Sequence, residues 1–163
     1  MTYDELSLIK QAIINEIEGY EFYRMAAAQA HTEEAQKAFQ QLSDEEFMHV
    51  EWLQKLYKEL SVGNSHNIHL AFVIDPPVPE IFNWSKVDRK MVSLALSVFG
   101  IGIQMEKASI EFYKEAAEKA ENPALRRLYK KLIKWEENHL IQFEKQYASL
   151  KEDWWGQQGF VEL

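Results

Sequence analysis

Apolar positions recur at helical spacing in four long stretches of the chain, separated by two kinds of break. In residues 2–30 the apolar side of the pattern runs through Leu6, Ile9, Ile13, Tyr20, Tyr23 and Ala27, the three-and-four spacing that collects side chains on one face of an α-helix. Thr2 followed by Glu5 fits a capping box at its start. After Ala30-His31-Thr32, where His31 reads as a helix-end residue, the period resumes from Glu33 to Leu60. Residues 61–85 lose it, and Gly63, Asn64, Pro76, Pro77 and Pro79 mark a connection there. A third helical stretch covers about 86–120, Glu121-Asn122-Pro123 interrupts it, and a fourth covers about 124–152. The remainder, 153–163, holds Trp154, Trp155 and Phe160 and is expected to pack back onto the body or onto a partner subunit. The pattern predicts one all-α domain over residues 1–163: an antiparallel four-helix bundle of two helix hairpins joined by a long crossover.

The two hairpins repeat each other. Shifted by 90 positions, the sequence matches itself without a gap: Glu16 falls on Glu106, Glu21-Phe22-Tyr23 on Glu111-Phe112-Tyr113, Ala26-Ala27 on Ala116-Ala117, Leu42 on Leu132, Glu46 on Glu136, His49 on His139 and Tyr57 on Tyr147. A pseudo-two-fold axis between the hairpins follows, and whatever lies between them should be made twice.

Composition narrows the function. The 163 residues carry a net charge of −8 and are 47% hydrophobic, enough for a sizeable core. The acidic balance argues against nucleic acid and anionic membrane as partners. With no cysteine, disulfides, thiolate nucleophiles, zinc–thiolate sites and iron–sulfur clusters are excluded for these residues. Residues 1–10 are partly acidic without a long apolar run and do not read as a signal peptide. No window has the uninterrupted apolar length of a membrane span. A cytoplasmic protein is the expectation.

The polar residues that the repeat keeps inside apolar stripes carry the candidate chemistry. Glu16 lies among Ile9, Ile13, Tyr20 and Tyr23; Glu106 among Phe99, Ile103, Ile110 and Tyr113; Glu46 among Phe39, Leu42, Val50 and Leu53; Glu136 among Tyr129, Leu132, Leu140 and Phe143. Glu46-Phe47-Met48-His49 and Glu136-Glu137-Asn138-His139 are both Glu-x-x-His, a spacing that puts carboxylate and imidazole on one helical face. Each pair has a lone glutamate 30 positions upstream. Four carboxylates and two imidazoles without sulfur suit iron, manganese or zinc. Four buried carboxylates would be costly unpaired, and two divalent cations would cancel their charge. A single Glu-x-x-His is a weak signal; two in register are a strong one. Glu45 and Glu137 compete as ligands, but they fall on Trp135 and Phe47 in the repeat, so only Glu46 and Glu136 are acidic in both copies. Glu21 and Glu111 lie about 140° around their helices from Glu16 and Glu106 and read as solvent-facing or structural.

The pattern resembles the ferritin-like di-iron carboxylate proteins. The segments Glu16-x-Glu18-Gly19-Tyr20-Glu21-Phe22-Tyr23 and Glu106-Lys107-Ala108-Ser109-Ile110-Glu111-Phe112-Tyr113 look most like the rubrerythrin branch. The resemblance covers the four helices and not the crossover or tail. It implies two iron ions held by Glu16, Glu46, His49, Glu106, Glu136 and His139, with Glu46 and Glu136 bridging and Tyr23 and Tyr113 hydrogen-bonding ligand carboxylates. It also implies a rubrerythrin-type oxidoreductase that reduces hydrogen peroxide or dioxygen. Two departures stand out. The four-cysteine rubredoxin domain of typical rubrerythrins has no counterpart here, so electrons would come from an external donor protein. The extra glutamate of the third helix is Ser109, which leaves six ligands and an equal likeness to the ferroxidase centre of bacterioferritin. A ferroxidase or iron-storage protein is therefore the alternative, and a non-redox scaffold for zinc or manganese a third reading. The long crossover permits a homodimer, including one with hairpins exchanged between chains.

The remaining features have plainer readings. Gly19 and Ser109 are equivalent in the repeat, and both are small enough to leave room for an oxygen species. Gly100 and Gly102 read as sites of close helix approach, His66 and His69 as solvated loop residues, Lys114 to Glu121 as a solvated helix face, and the five tryptophans as core or interface.

Overall fold

The computed structural model describes residues 3–62, 70, 73–76 and 92–158. Four helices account for nearly all of them: α1 (Tyr3–Gln29), α2 (Glu33–Ser61), α3 (Val92–Lys119) and α4 (Pro123–Gln158). Helix α1 packs along α2 and α3 along α4, with a smaller α1–α3 contact joining the hairpins. No strand occurs among the described residues, and no helix among them is long and apolar enough to cross a membrane.

Local chemistry sets the turns. Thr32 caps α2, its hydroxyl accepting from Ala35 N at 3.2 Å, with Glu33 and Glu34 in the first turn, where the helix dipole favours negative charge. Asn122 caps α4 by accepting from Ala124 N at 2.8 Å, and Pro123 opens the helix where a missing N–H costs nothing. Glu5 reaches across to the second hairpin. Its Oε1 accepts from Glu121 N and Asn122 N, both at 2.9 Å, tying the start of α1 to the α3–α4 turn; Thr2 lies outside the described residues. Helix α4 runs past the expected end near 152 to Gln158, because nothing before Gly156 interrupts it. Trp154 and Trp155 sit within it with their rings 4.9 Å apart, and Trp155 is 48% exposed. Phe160, His66, His69 and the first residues of the expected third helix lie outside the described residues.

Two apolar layers form the core. One holds Ile9, Leu53, Leu56, Tyr113, Leu125, Tyr129 and Leu132; the other holds Tyr23, Phe39, Leu42, Phe99, Ile103 and Phe143. Along every helix the residues between the layers are the buried polar ones: Glu16 on α1, Glu46 and His49 on α2, Glu106 on α3, Glu136 and His139 on α4. Of the crossover, Leu70 and Val73 pack on the first layer. Ile74 O accepts from Trp135 Nε1 at 3.1 Å, and Asp75 pairs with Lys131.

Candidate metal centre

Six side chains from four helices meet in the polar layer, none more than 4% exposed. They form two overlapping groups, Glu16, Glu46, His49 and Glu136, and Glu46, Glu106, Glu136 and His139, with the donor atoms of each group within 4.8 Å of one another. The oxygens are divided between the groups. Toward His49 Nδ1 come Glu16 Oε2 at 3.2 Å, Glu46 Oε2 at 3.4 Å and Glu136 Oε1 at 3.4 Å. Toward His139 Nδ1 come Glu46 Oε1 at 3.4 Å, Glu136 Oε2 at 3.6 Å and Glu106 Oε2 at 3.8 Å. Glu46 and Glu136 thus present one oxygen to each side, whereas Glu16 and Glu106 serve one side each.

The second oxygen of each lone glutamate is held by a tyrosine from the opposite hairpin. Tyr23 Oη on α1 donates to Glu106 Oε1 at 2.7 Å, and Tyr113 Oη on α3 donates to Glu16 Oε1. Burial and the neighbouring carboxylates push both phenols well above their ordinary value, so their protons stay on.

The electrostatics of the cluster divide along the same lines. Burial, reinforced by Glu136 and Glu46, pushes Glu16 well above the usual carboxylate range. Burial and Glu136 do the same to Glu106. Burial also opposes ionisation of Glu46 and Glu136, but the His139 and His49 imidazoles close beside them outweigh it and hold both low. Burial alone would lower the two histidines; their glutamate partners raise them well above the ordinary imidazole value instead. The raised and lowered groups move the metal-free cluster toward zero net charge, the direction that burial favours.

Two unpartnered atoms test whether this donor set fits a pair of metal ions. Among the described residues, Glu136 Oε1 and His139 Nδ1 are buried with no hydrogen-bond partner, and both belong to the converging set. Such atoms are costly unless something accepts their lone pairs. Four carboxylates with two neutral imidazoles would also balance two divalent cations. The residues present fit a two-metal site of oxygen and nitrogen donors.

Around the two histidines stand Glu45, Trp52 and Trp135, in places that the sequence pattern does not assign. Glu45 Oε2 lies 2.9 Å from His139 Nε2, although the repeat puts Trp135 at its equivalent position and so discounts it. Trp52 and Trp135 flank His49, their ring centroids 5.3 and 5.2 Å from the imidazole. At Gly102 an added Cβ would come within 3.1 Å of both the Phe143 ring and Tyr23 Oη, so this glycine allows close approach beside the Tyr23–Glu106 bond. Gly19 faces Glu46, with 3.5 Å from a would-be Cβ to its carboxyl carbon. Glu21 points outward and pairs with Arg24 at 2.6 Å, and Glu111 is exposed.

A family model described as Rubrerythrin matches residues 7–147. Among solved structures, a hypothetical protein from Pyrococcus furiosus aligns with a TM-score of 0.69 at 24% identity over 92% of each chain, a likeness of fold. No curated protein matches the chain significantly.

Proposed function

Because the chain belongs to the rubrerythrin family, we propose that it is a di-iron oxidoreductase that reduces hydrogen peroxide. The observation that carries this reading is the divided oxygen set of Glu46 and Glu136 between His49 and His139. Glu16 and His49 would hold one ion, Glu106 and His139 the other, and Glu46 and Glu136 would bridge. Two ferrous ions, when bound, supply the two electrons and the Lewis acidity for H2O2 + 2 H+ + 2 e− → 2 H2O.

The protein's own groups position and insulate. Tyr23 and Tyr113 each fix one oxygen of a lone glutamate and leave the other aimed at its histidine. The apolar layers on either side keep bulk water away, which strengthens every charge interaction inside. The 163 residues contain no cysteine, so the electrons that restore the ferrous state come from a centre outside them.

A ferroxidase reading rests on one feature, Ser109 in place of a seventh ligand. Anaerobic ferrous loading followed by stopped-flow oxidation separates the two. Two irons per chain and much faster reaction with peroxide than with dioxygen support the peroxidase. Preference for dioxygen with continued uptake beyond two irons supports ferroxidase and storage. Failure to retain iron overturns both.

The outer face of the first hairpin suits a second copy of the chain. Ile14, Ile17, Met25 and Phe47 are 41–51% exposed there, while the repeat places Gln104, Lys107, Glu115 and Glu137 at the same positions of the second hairpin. The fold tolerates polar residues at these positions, so the apolar choice serves an isologous contact, and we take the working unit to be a homodimer.

A further inference from the structure

The two halves of the centre are built on one repeat, yet their histidines have opposite surroundings. His139 Nε2 meets Glu45 Oε2 at 2.9 Å. The position equivalent to Glu45 in the other half is Trp135, whose ring stands edge-on to His49 at 5.2 Å. A second exchange goes the same way. Trp52, three residues after His49 and against its ring, is replaced by Gln142, three residues after His139 and buried. Among the described residues, His49 Nε2 is buried without a partner.

The consequence follows from what each group accepts. An ionised carboxylate only accepts hydrogen bonds, so His139 Nε2 must carry the hydrogen. In the neutral imidazole that binds a metal, its Nδ1 lone pair then faces Glu46, Glu106 and Glu136, in the orientation a metal requires, and the carboxylate acceptor raises its donor strength. For His49 the same tautomer leaves a desolvated N–H beside two indoles, with no acceptor to orient the ring or enrich it.

We propose that the two metal positions are unequal and that Glu45 makes them so, as a positioning residue: the position at His139 binds a divalent ion first and more tightly, and the position at His49 fills second. This rests on the two-metal reading above.

Anaerobic titration with Co(II), followed by calorimetry and by the visible cobalt absorption, tests it. The unsubstituted protein should bind two ions in resolved steps at least about tenfold apart. Glu45→Ala should weaken the tighter step by about 10–100-fold and leave the weaker one in place, so the two converge. Glu45→Gln, which keeps an acceptor and loses the charge, should fall between. Glu45→Ala also leaves the buried His139 Nε2 without its acceptor and should lower the melting temperature of the metal-free protein somewhat, so circular dichroism is used to show that the helices of each variant persist at the titration temperature. Two equal steps in the unsubstituted protein, or a Glu45→Ala variant that weakens both ions alike or neither, would overturn the inequality and spare the two-metal reading. No cobalt uptake by the unsubstituted protein would overturn both.

Discussion

Tyr23 on α1 donates its hydroxyl hydrogen to Glu106 on α3 at 2.7 Å, and the repeat returns the bond from Tyr113 to Glu16. Each hairpin therefore orients a glutamate of the other, and the small α1–α3 contact is fastened at the level of the polar layer. Removing the hydroxyl in Tyr23→Phe leaves a buried carboxyl oxygen without its donor and should cost about 1–3 kcal/mol of stability. Chemical denaturation of the metal-free protein checks this. Tyr113→Phe should behave alike. Iron binding should weaken in both variants, since an unfixed glutamate must be ordered when the ion arrives.

Glutamates that serve both sides should matter differently from those that serve one. Glu46→Gln or Glu136→Gln removes a donor from both positions and should abolish tight binding of both ions. Glu16→Gln or Glu106→Gln should leave one ion bound per chain. Elemental analysis after loading and desalting gives the count, and circular dichroism shows whether the helices persist. Equal loss from all four variants would contradict the division of oxygens described above.

How much of this was legible beforehand depended on repetition. Glu46 and Glu136 stood out because each is acidic in both copies, and that filter brought forward the six side chains that converge. The same filter hid Glu45, because its equivalent is a tryptophan. The asymmetry of the centre lies in the positions that do not repeat. The starts of α2 and α4 were readable as breaks in the helical period at Ala30-His31-Thr32 and Glu121-Asn122-Pro123, whereas the capping contacts of Thr32 and Asn122 emerge only from the structure. The job of Glu5 was not, because its partners, Glu121 and Asn122, come from the far hairpin and no local pattern carries that contact. The end of α4 was misplaced for the opposite reason: with no proline or glycine before Gly156, nothing local marks a stop.

Metal and protons should compete for this site in a countable way. In the metal-free cluster Glu16, Glu106, His49 and His139 are all raised well above their ordinary values, so they hold their protons to higher pH than free side chains do. Two divalent ions need four carboxylates and two neutral imidazoles, so loading should release protons, up to about four per chain if all four raised groups are protonated beforehand. Calorimetry in buffers of different ionisation enthalpy measures the number. Release near zero would mean that the cluster is already ionised before metal arrives.

The pH dependence of stability follows from the same shifts. Stability from the raised groups is complete below their unfolded values, 4.5 for the two carboxyls and 6.5 for the two imidazoles, and is lost as pH rises through the raised values. Glu46 and Glu136 are lowered, so their contribution is present above 4.5 and lost on acidification. The metal-free protein should be most stable in mildly acidic solution and should lose melting temperature steadily toward pH 9. The metal-loaded protein should not show that decline, because alkali favours the deprotonated ligands that hold the ions. Parallel thermal melts across the pH range decide it.

The apolar face of the first hairpin offers a substitution test in which the protein supplies its own controls. Ile17 and Phe47 are 41% and 45% exposed, and their repeat equivalents are Lys107 and Glu137. Ile17→Lys with Phe47→Glu writes the second hairpin's surface onto the first, with residue types the same backbone positions already carry elsewhere in the fold. Internal packing should be unaffected, so the variant should keep its helicity and its metal content. An isologous contact meets each substitution twice, once from each subunit, and burying four new charges in place of apolar contacts should dissociate it. Sedimentation should show a dimer for the parent and a monomer of about half the mass for the variant. A parent that sediments as a monomer, or a double variant that stays dimeric, would move the interface off this face.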